Sequence, residues 1–309
     1  MMITKYEFRG EKDGISLLIL AAVHGNETAG TQACFRIIDE FNRGALRLTG
    51  GHLTLVPVCN PEAYRKDVRS IDENLNRVIK MHDIPQSYEQ RLANEICPLI
   101  RSHRFTLDLH STHCVGDVPF AFCDYPDDYN RKVIEALPVD YVLEGWPEIY
   151  GRQAQIQDFS TEQCAHVYGN TATTLECGYH KEPKAAELAY RAIIGALTAF
   201  DMVDLSKSND FLEKQMKDFK SYEIPRLIGL SRTNVICQEE FVSSVRSSRS
   251  CRYVLFGFVP LLKIKTKKNG KKVIYKLFGS LPVLGIKRKK NRSVYLLFGF
   301  LPLLSVMRK

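Results

Sequence analysis

Short apolar runs alternate with segments of helical spacing along the first two-thirds of the chain. Apolar, β-forming runs predict strands at residues 15–23, 52–58, 105–110 and 171–177. Helical spacing predicts helices at residues 28–41, 86–102 and 183–203, with Thr28 as the N-cap of the first and Pro183 near the first turn of the last. This alternation is typical of an α/β fold with a mostly parallel or mixed central sheet flanked by helices.

Polar clusters follow these predicted strands. In open α/β sheets the functional sites lie beyond the carboxyl ends of the strands, which meet at one edge. The clusters are therefore expected to lie close together, although they are far apart in the sequence.

The first cluster is the sequence HGNE at residues 24–27, directly after the first predicted strand. A zinc ion in a hydrolase takes three protein ligands of the His or carboxylate type and keeps one position for water. His24 and Glu27 are three residues apart on a tight turn and can face one ion. The pair alone fits a loop histidine and a solvated glutamate better, so a zinc site needs a third ligand.

The third predicted strand offers that ligand in the sequence LDLHST. His110 ends the apolar run, and Asp108 precedes it by two residues. The alternative to a metal ligand is a structural role, in which His110 forms a hydrogen bond with the backbone at the end of the strand. The other histidines have weaker contexts and are expected to have structural roles: His52, His82, His103, His113, His166 and His180.

Glu176 follows Thr-Thr-Leu in the fourth predicted strand, where the chain should be buried. A buried carboxylate is costly unless it is paired or lies near a cation. Beside a metal-activated water it would serve as the general base and pass a proton to the leaving amine.

A polar segment after the second predicted strand contains Arg69, Asn76 and Arg77. The fork of N–H donors on arginine suits a carboxylate or a developing oxyanion. Without further context, a charged surface loop is the favoured interpretation of this segment.

Taken together, the motifs resemble the succinylglutamate desuccinylase/aspartoacylase family, a branch of the zinc carboxypeptidase fold. The resemblance covers about residues 15–200 and rests on HGNE, NPEAY with the later LNR, DLHST and TLECG, in the family's order and rough spacing. It implies hydrolysis of the amide bond of an N-acyl amino acid, a small carboxylate substrate.

The resemblance also implies a role for each motif residue. It implies one zinc ion per chain, held by His24, Glu27 and His110. It implies that Glu176 is the base that activates water and that Arg69 polarises the scissile carbonyl. The pair that binds the substrate's free carboxylate would be Asn76 and Arg77.

Some positions depart from the family pattern. Asn74 stands where aspartoacylase-like members usually carry Asp, and Ser111 stands where aspartoacylases have Asn. The additional substrate-binding arginine has no counterpart, with His166 near its place. The tyrosine from a later segment has only Tyr168 and Tyr179 nearby. These departures leave the zinc and hydrolysis expectations intact but leave the acyl amino acid open.

Charge is unevenly distributed along the chain. Residues 1–205 carry 20 Lys and Arg against 29 Asp and Glu, whereas residues 206–309 carry 23 against 6. Nine scattered cysteines without a CxxC pair disfavour a disulfide framework, and the first residues lack an apolar signal region. We therefore expect a cytoplasmic chain, either free or peripheral to the inner face of the membrane.

We expect three regions: a zinc-dependent amidohydrolase domain at 1–205, a linker or reduced second domain at 206–250, and basic repeats at 251–309. The repeats share the pattern Tyr-x-Leu-Phe-Gly-x-x-Pro-Leu/Val-Leu, with tyrosines at 253, 275 and 295. They resemble FGFxPLLKIK tails of some bacterial glycosyltransferases and other surface-glycan proteins.

Each repeat places an aromatic and aliphatic patch beside cations, which suits an anionic membrane surface. The patch also suits binding to glycan-assembly proteins. An equally open alternative is a short β-repeat, interrupted by proline, that binds another protein or nothing at all. Nucleic acid is disfavoured because no recognised reading module accompanies the basic runs.

Two other functions use the same residues. One is a zinc carboxypeptidase or amidase that acts on a peptide or cell-envelope fragment. The other is a non-enzymatic membrane-surface scaffold with a decayed hydrolase core. The presence of every zinc and base candidate argues against decay.

Overall fold

The structure is a computed structural model of the 309-residue chain. It describes residues 3–145, 147 and 159–204 with their side chains, and the backbone of eight further strands between residues 226 and 307. The chain forms two compact units. The first comprises residues 1–112 and 119–235, and the second comprises residues 113–118 and 236–309.

The first unit is built on a mixed eight-stranded sheet. Its strands are β1 (Tyr6–Arg9), β2 (Lys12–Ala21), β3 (Gly50–Val56), β4 (Phe105–Thr112), β5 (Phe120–Phe122), β6 (Tyr141–Glu144), β7 (Thr171–Tyr179) and β8 (Arg226–Gly229). Their order across the sheet is β1-β3-β2-β4-β7-β5-β6-β8. The central strands β3, β2, β4 and β7 are parallel, whereas β1 with β3 and β5 with β7 are antiparallel.

Helices cover the sheet. In the described residues they are α1 (Ala29–Asn42), α2 (Pro61–Arg65), α3 (Tyr88–Ser102), α4 (Asp128–Ile134), α5 (Thr161–Val167) and α6 (Pro183–Ala199), with a short 3-10 helix at Leu75–Arg77. Because side chains alternate along a strand, the side chains of β2 pack into two separate hydrophobic cores, one on each face of the sheet. Leu17 and Ile19 pack with α1 and α6, whereas Leu18 and Leu20 pack with α3 and α5.

The α/β class and the mixed sheet flanked by helices are confirmed. All four predicted strands and all three predicted long helices are present, with shifted ends. Thr28 does occupy the N-cap of α1, but its side chain forms no capping hydrogen bond. The segment at 206–250, expected as a linker or reduced second domain, contains β8, which pairs with β6 in the main sheet.

The second unit contains a seven-stranded antiparallel meander. Its strands are β9 (Val242–Ser247), β10 (Ser250–Leu255), β11 (Val259–Lys267), β12 (Lys272–Leu277), β13 (Leu281–Lys289), β14 (Arg292–Leu297) and β15 (Leu301–Met307). Each sequence repeat corresponds to one hairpin. The register shifts directly after each repeat tyrosine, at positions 253, 275 and 295, and the repeat prolines pair at these irregularities, where strands tolerate proline.

Across the described part of the chain, the helices are too short or too polar to span a bilayer.

His103, directly after α3, is a buried histidine with both ring nitrogens occupied. Its Nδ1 lies 2.7 Å from the carbonyl oxygen of Leu99, and its Nε2 lies 2.8 Å from Oγ1 of Thr54. This pairing fits a neutral ring that donates from Nδ1 and accepts at Nε2. Burial lowers the pKa of His103, although the bond to Leu99 opposes the shift.

We predict that His103 makes the free energy of unfolding fall as the pH is lowered from about 8 to about 5, through the ordinary histidine pKa of about 6.5. The unfolded chain takes up a proton near that pKa, whereas the folded chain resists it to lower pH. Urea unfolding in the presence of a chelator, at several pH values, should give a shallower pH slope for His103→Gln than for the wild type. Equal slopes would contradict the prediction.

Candidate active site

The parallel strands β2, β4 and β7 bring the separated motifs to one edge of the sheet. His24 and Glu27 lie in the turn that follows β2, and β2 pairs with β4. His110 near the end of β4 stands directly opposite Glu176 of β7 in the register. Residues that are 86 positions apart, His24 and His110, thereby come into contact.

The turn after β2 is held by close backbone contacts. Ala22 has a φ of +47°, a left-handed conformation that turns the chain sharply out of the strand. The amide of Gly25 donates to the carbonyl of Arg69 at 3.1 Å. A Cβ at Gly25 would lie 2.1 Å from the carbonyl carbon of Ala63, so only glycine fits here.

Three buried side chains converge on one point. Nδ1 of His24 lies 2.9 Å from Oε1 of Glu27, and Nδ1 of His110 lies 2.9 Å from Oε2 of the same carboxylate. The two Nδ1 atoms are 3.1 Å apart. One potential ligand atom from each of the three residues lies within 4.8 Å of the other two.

The outer nitrogens of both imidazoles are already engaged. Nε2 of His24 lies 2.9 Å from Oδ1 of Asn74, and Nε2 of His110 lies 2.9 Å from Oδ2 of Asp108. The hydroxyl of Thr161 donates to the same Asp108 oxygen at 2.7 Å. An acceptor at Nε2 fixes that nitrogen as an N–H, so in a neutral ring the lone pair lies on Nδ1. Burial opposes a charge on His110, but Asp108 and Glu27 outweigh it and raise the pKa of His110 well above its usual range, so without a metal ion its Nδ1 holds a proton toward Glu27.

This donor set fits a metal cation. Two nitrogen lone pairs and a carboxylate facing one another at about 3 Å repel unless a proton or a metal ion lies among them. In a tetrahedral zinc site, bonds of about 2.0–2.2 Å place the ligand atoms about 3.3 Å apart. The observed spacings of 2.9–3.1 Å are close to that value.

Glu27 is the shared acceptor of the site. Besides the two histidines, it receives Nη1 of Arg69 at 2.8 Å and the amide of Ser111 at 3.1 Å. Burial alone would raise the pKa of Glu27, but His24 and His110 hold it well below its usual range. Burial lowers the pKa of His24 to about 4, which agrees with a neutral ring.

Glu176 lies beside the three converging residues and is buried, with an exposed fraction of 7%. Burial and the neighbouring Glu27 carboxylate raise the pKa of Glu176 to about 8. Within the described residues its Oε2 has no hydrogen-bond partner. A buried carboxylate oxygen without a partner in a polar cluster is typical of a group that binds a cation, water or substrate.

Asn76 and Arg77 lie in the 3-10 helix, beyond Asn74. Oδ1 of Asn76 accepts the amide of Thr161 at 3.1 Å, which turns its Nδ2 donor the other way. Nη1 of Arg77 donates to the carbonyl of Asn76. Arg69 is engaged with Glu27, and its side chain remains 40% exposed.

The residues near the two family positions without a counterpart lie in different places. His166 is exposed and stacks on Tyr125 with ring centroids 4.1 Å apart. Tyr168 caps α5 and packs against the α3 side of the core. Tyr179 ends β7, next to His180.

The model of the succinylglutamate desuccinylase/aspartoacylase catalytic domain matches residues 13–200, more than half of the chain. The chain belongs to this family. The match contains the turn after β2, the loop with Arg69 to Arg77, and the ends of β4 and β7. The family resemblance expected from the motifs is thereby confirmed.

The sequence is similar to succinylglutamate desuccinylase from Pseudomonas fluorescens (strain Pf0-1), with 33% identity over 39% of this chain and 37% of the relative. The chain thus matches little more than a third of that protein's length. Its fold is similar to the product-bound ectoine utilization protein EutE (DoeB) from Ruegeria pomeroyi, with TM-score 0.60 and 15% identity over 99% of this chain and 89% of that one. It is also similar to the tripeptide-bound cell shape determinant Csd4 from Helicobacter pylori, with TM-score 0.52 and 14% identity over 99% and 77% of the two chains.

Sequence reasoning did not assign three supporting residues: Asn74 as the partner of His24, Asp108 as the partner of His110, and Thr161 as the link to Asn76. Only Asp108 left a signal. It lies two residues before His110, and a spacing of two places both side chains on one face of a strand.

We predict opposite effects of two substitutions on metal affinity. Asp108→Asn removes the carboxylate behind His110 and should weaken metal binding by about 10- to 100-fold, the usual cost of losing such a partner. Asn74→Asp places a carboxylate behind His24 and should strengthen binding. Competition for Zn²⁺ with a chromophoric chelator measures both, and equal affinities in all three proteins would contradict the prediction.

Proposed function

We propose that this chain is a zinc-dependent hydrolase that cleaves the amide bond of an N-acyl amino acid. The observation that carries the proposal is the convergence of His24, Glu27 and His110 beside the buried Glu176. The chain matches only 37% of its relative's length, so membership of the family supports this activity without extending it to a named substrate.

One zinc ion would be held by Nδ1 of His24, the Glu27 carboxylate and Nδ1 of His110. When bound, zinc supplies a Lewis acid that makes water a nucleophile near neutral pH and polarises a carbonyl oxygen. Asn74 and Asp108 keep both histidines oriented for this role through their Nε2 atoms.

Glu176 acts as the general base and then as the general acid. Its carboxylate takes a proton from the attacking water and gives it to the leaving amine, which must be protonated to depart. A cation held by the neighbouring Glu27 favours the ionised form of Glu176 that the first step requires.

Arg69 donates to the oxyanion that develops as water adds to the scissile carbonyl. Its exposed part extends from the anchored contact with Glu27. Asn76 offers its Nδ2 donor and Arg77 its guanidinium to the free carboxylate of the amino acid. Together these groups select an amide that has a carboxylate at a fixed distance.

A peptide or a cell-envelope fragment is the second substrate class. The similar fold of the tripeptide-bound Csd4 protein brings it into consideration, since the same catalytic groups can act on a larger carboxylate substrate. A decayed scaffold is disfavoured because the three ligand candidates still converge on one point beside the base candidate.

We predict that Glu176→Gln retains about one zinc per chain and loses turnover by about 10²- to 10⁴-fold, because the amide cannot take a proton. His110→Ala should lose zinc as well as activity. Metal analysis and hydrolysis of N-succinylglutamate, N-acetylaspartate and a tripeptide measure both properties. Glu135→Gln, the same change at an exposed glutamate, is the matched control and should resemble the wild type.

Each result has a clear meaning. Full activity of Glu176→Gln would overturn the mechanism. Wild-type protein that cannot be loaded with zinc would restore the scaffold interpretation. Hydrolysis of the tripeptide alone would establish the second substrate class.

We also propose that residues 251–309 bind an anionic membrane surface. Residues 206–309 have a net charge of +17, from 23 basic and 6 acidic residues. The register adds to this argument, because Lys263 stands opposite Lys276, and Lys272 stands opposite both Lys267 and Lys287. Like charges opposite one another destabilise a sheet, and an anionic surface would offset that cost.

We predict that replacing Lys287, Arg288 and Lys289 with Gln weakens binding to phosphatidylserine-containing vesicles by about 3 kcal/mol, at about 1 kcal/mol per charge. Vesicle sedimentation of the full chain measures this. The matched control replaces three exposed arginines of the first unit, Arg43, Arg47 and Arg131, with Gln and should bind normally. Equal binding of both triple variants would reject the surface, and a glycan-assembly protein would then become the candidate partner.

A further inference from the structure

Glu89 is a fully buried glutamate that the proposed mechanism does not use. Its Oε1 accepts Nδ2 of Asn60 at 3.2 Å and the amide of Ile71 at 2.7 Å. Its Oε2 accepts the amides of Asp72 and Glu73 at 3.1 and 3.2 Å. One carboxylate therefore gathers four N–H donors, three of them from consecutive residues.

The three consecutive amides lie in the middle of the segment that carries the substrate groups, residues 69–77, which we call the 69–77 loop. Arg69 precedes them, and Asn74, Asn76 and Arg77 follow them. The ends of the loop reach the metal-ligand turn, because Gly25 donates to the Arg69 carbonyl and His24 contacts Asn74. Glu89 holds the part between these contacts.

The loop and the start of α3 bind each other reciprocally. The side chain of Asp72 accepts the amide of Tyr88 at 2.7 Å, and that of Glu73 accepts Nε2 of Gln90 at 2.9 Å. In the other direction, the Glu89 side chain of α3 accepts backbone amides of the loop. The fourth donor, Asn60, is the N-cap of α2, and its own amide donates to the carbonyl of Ala22 at 3.0 Å.

Helix capping does not account for Glu89. The N-cap of α3 is Ser87, whose Oγ accepts the amide of Gln90 at 3.1 Å. All four partners of Glu89 in the described part of the chain are N–H groups of neutral amides, and three of them belong to the loop. Burying a carboxylate is costly, so the arrangement persists only because the loop donors fully satisfy it.

We propose that Glu89 is the positioning residue of the 69–77 loop, which sets the loop before substrate binds. This rests on the proposed function for its effect on catalysis. Preformed placement matters because a displacement of about 1 Å can cost about 100-fold in rate. Among the described residues, Glu89 accepts hydrogen bonds from three loop amides and from Asn60, none of which is a metal ligand or a proposed substrate group.

The test is Glu89→Gln in the zinc-loaded full chain. Glutamine has the same shape but replaces one acceptor oxygen with a donor, so two of the four N–H groups lose their acceptor. The amides of residues 71–73 should exchange with solvent faster, while those of β2 and β4 stay protected. For the best N-acyl amino acid substrate, kcat/KM should fall by about 10- to 100-fold, and KM should rise because the carboxylate-binding groups Asn76 and Arg77 are displaced.

The control is Glu40→Gln, a buried glutamate on α1 that accepts Tyr190 and Arg36 on the opposite face of the sheet. Simple destabilisation reduces the active fraction, which lowers apparent kcat and leaves KM unchanged. Glu40→Gln should follow that pattern with normal exchange at 71–73. The proposal is overturned if Glu89→Gln keeps wild-type exchange at 71–73, keeps wild-type KM, or only matches Glu40→Gln.

The outcome for Glu89 is separable from the proposed function. If the wild type hydrolyses no N-acyl amino acid, the proposed function fails, and hydrogen exchange still tests the anchoring of the loop. If the wild type is active and Glu89→Gln keeps protection at residues 71–73, only the positioning role fails.

Discussion

The candidate site depends on the parallel alignment of β2, β4 and β7. The three strands end together, so the turn after β2, the end of β4 and the end of β7 occupy one edge. If β4 slipped by one residue against its neighbours, His110 would move to the other face of the sheet. The buried apolar residues on both faces fix the alignment, because any slip would exchange the two cores.

Charge balance explains how four ionisable groups can be buried together. Glu27 accepts an arginine and a backbone amide and shares a proton or a cation with the two imidazoles, so its negative charge is compensated. Oε2 of Glu176 has no hydrogen-bond partner among the described residues, and burial together with the nearby Glu27 carboxylate moves its pKa in the opposite direction. Two carboxylates a short distance apart are thereby given different protonation behaviour by their surroundings. The hydrogen-bond partners behind the two histidines also differ, since Nε2 of His110 faces a carboxylate and Nε2 of His24 faces a neutral amide.

The sequence predicted the features that have strong local signals. β2, β4, α1 and α3 are long and periodic, and His24, Glu27, His110 and Glu176 follow apolar runs in which a polar group is conspicuous. The short strands β1, β5 and β6 contain 4, 3 and 4 residues, too few for a period to emerge. The contact of His24 with Asn74 spans 50 positions and that of Asp108 with Thr161 spans 53, and such pairs become visible only when the chain is folded. In the sequence, Glu89, the proposed positioning residue of the 69–77 loop, cannot be distinguished from an ordinary acidic residue in the first turn of a helix.

The meander of the second unit has a consequence for how this region can change over time. Each strand pairs only with its neighbours in sequence, and each repeat supplies one complete hairpin. Unequal recombination between the repeats would therefore add or delete a whole hairpin and leave the pairing of the others intact. The width of the sheet, and with it the number of cations it carries, can vary by a genetic event that does not touch the residues of the first unit.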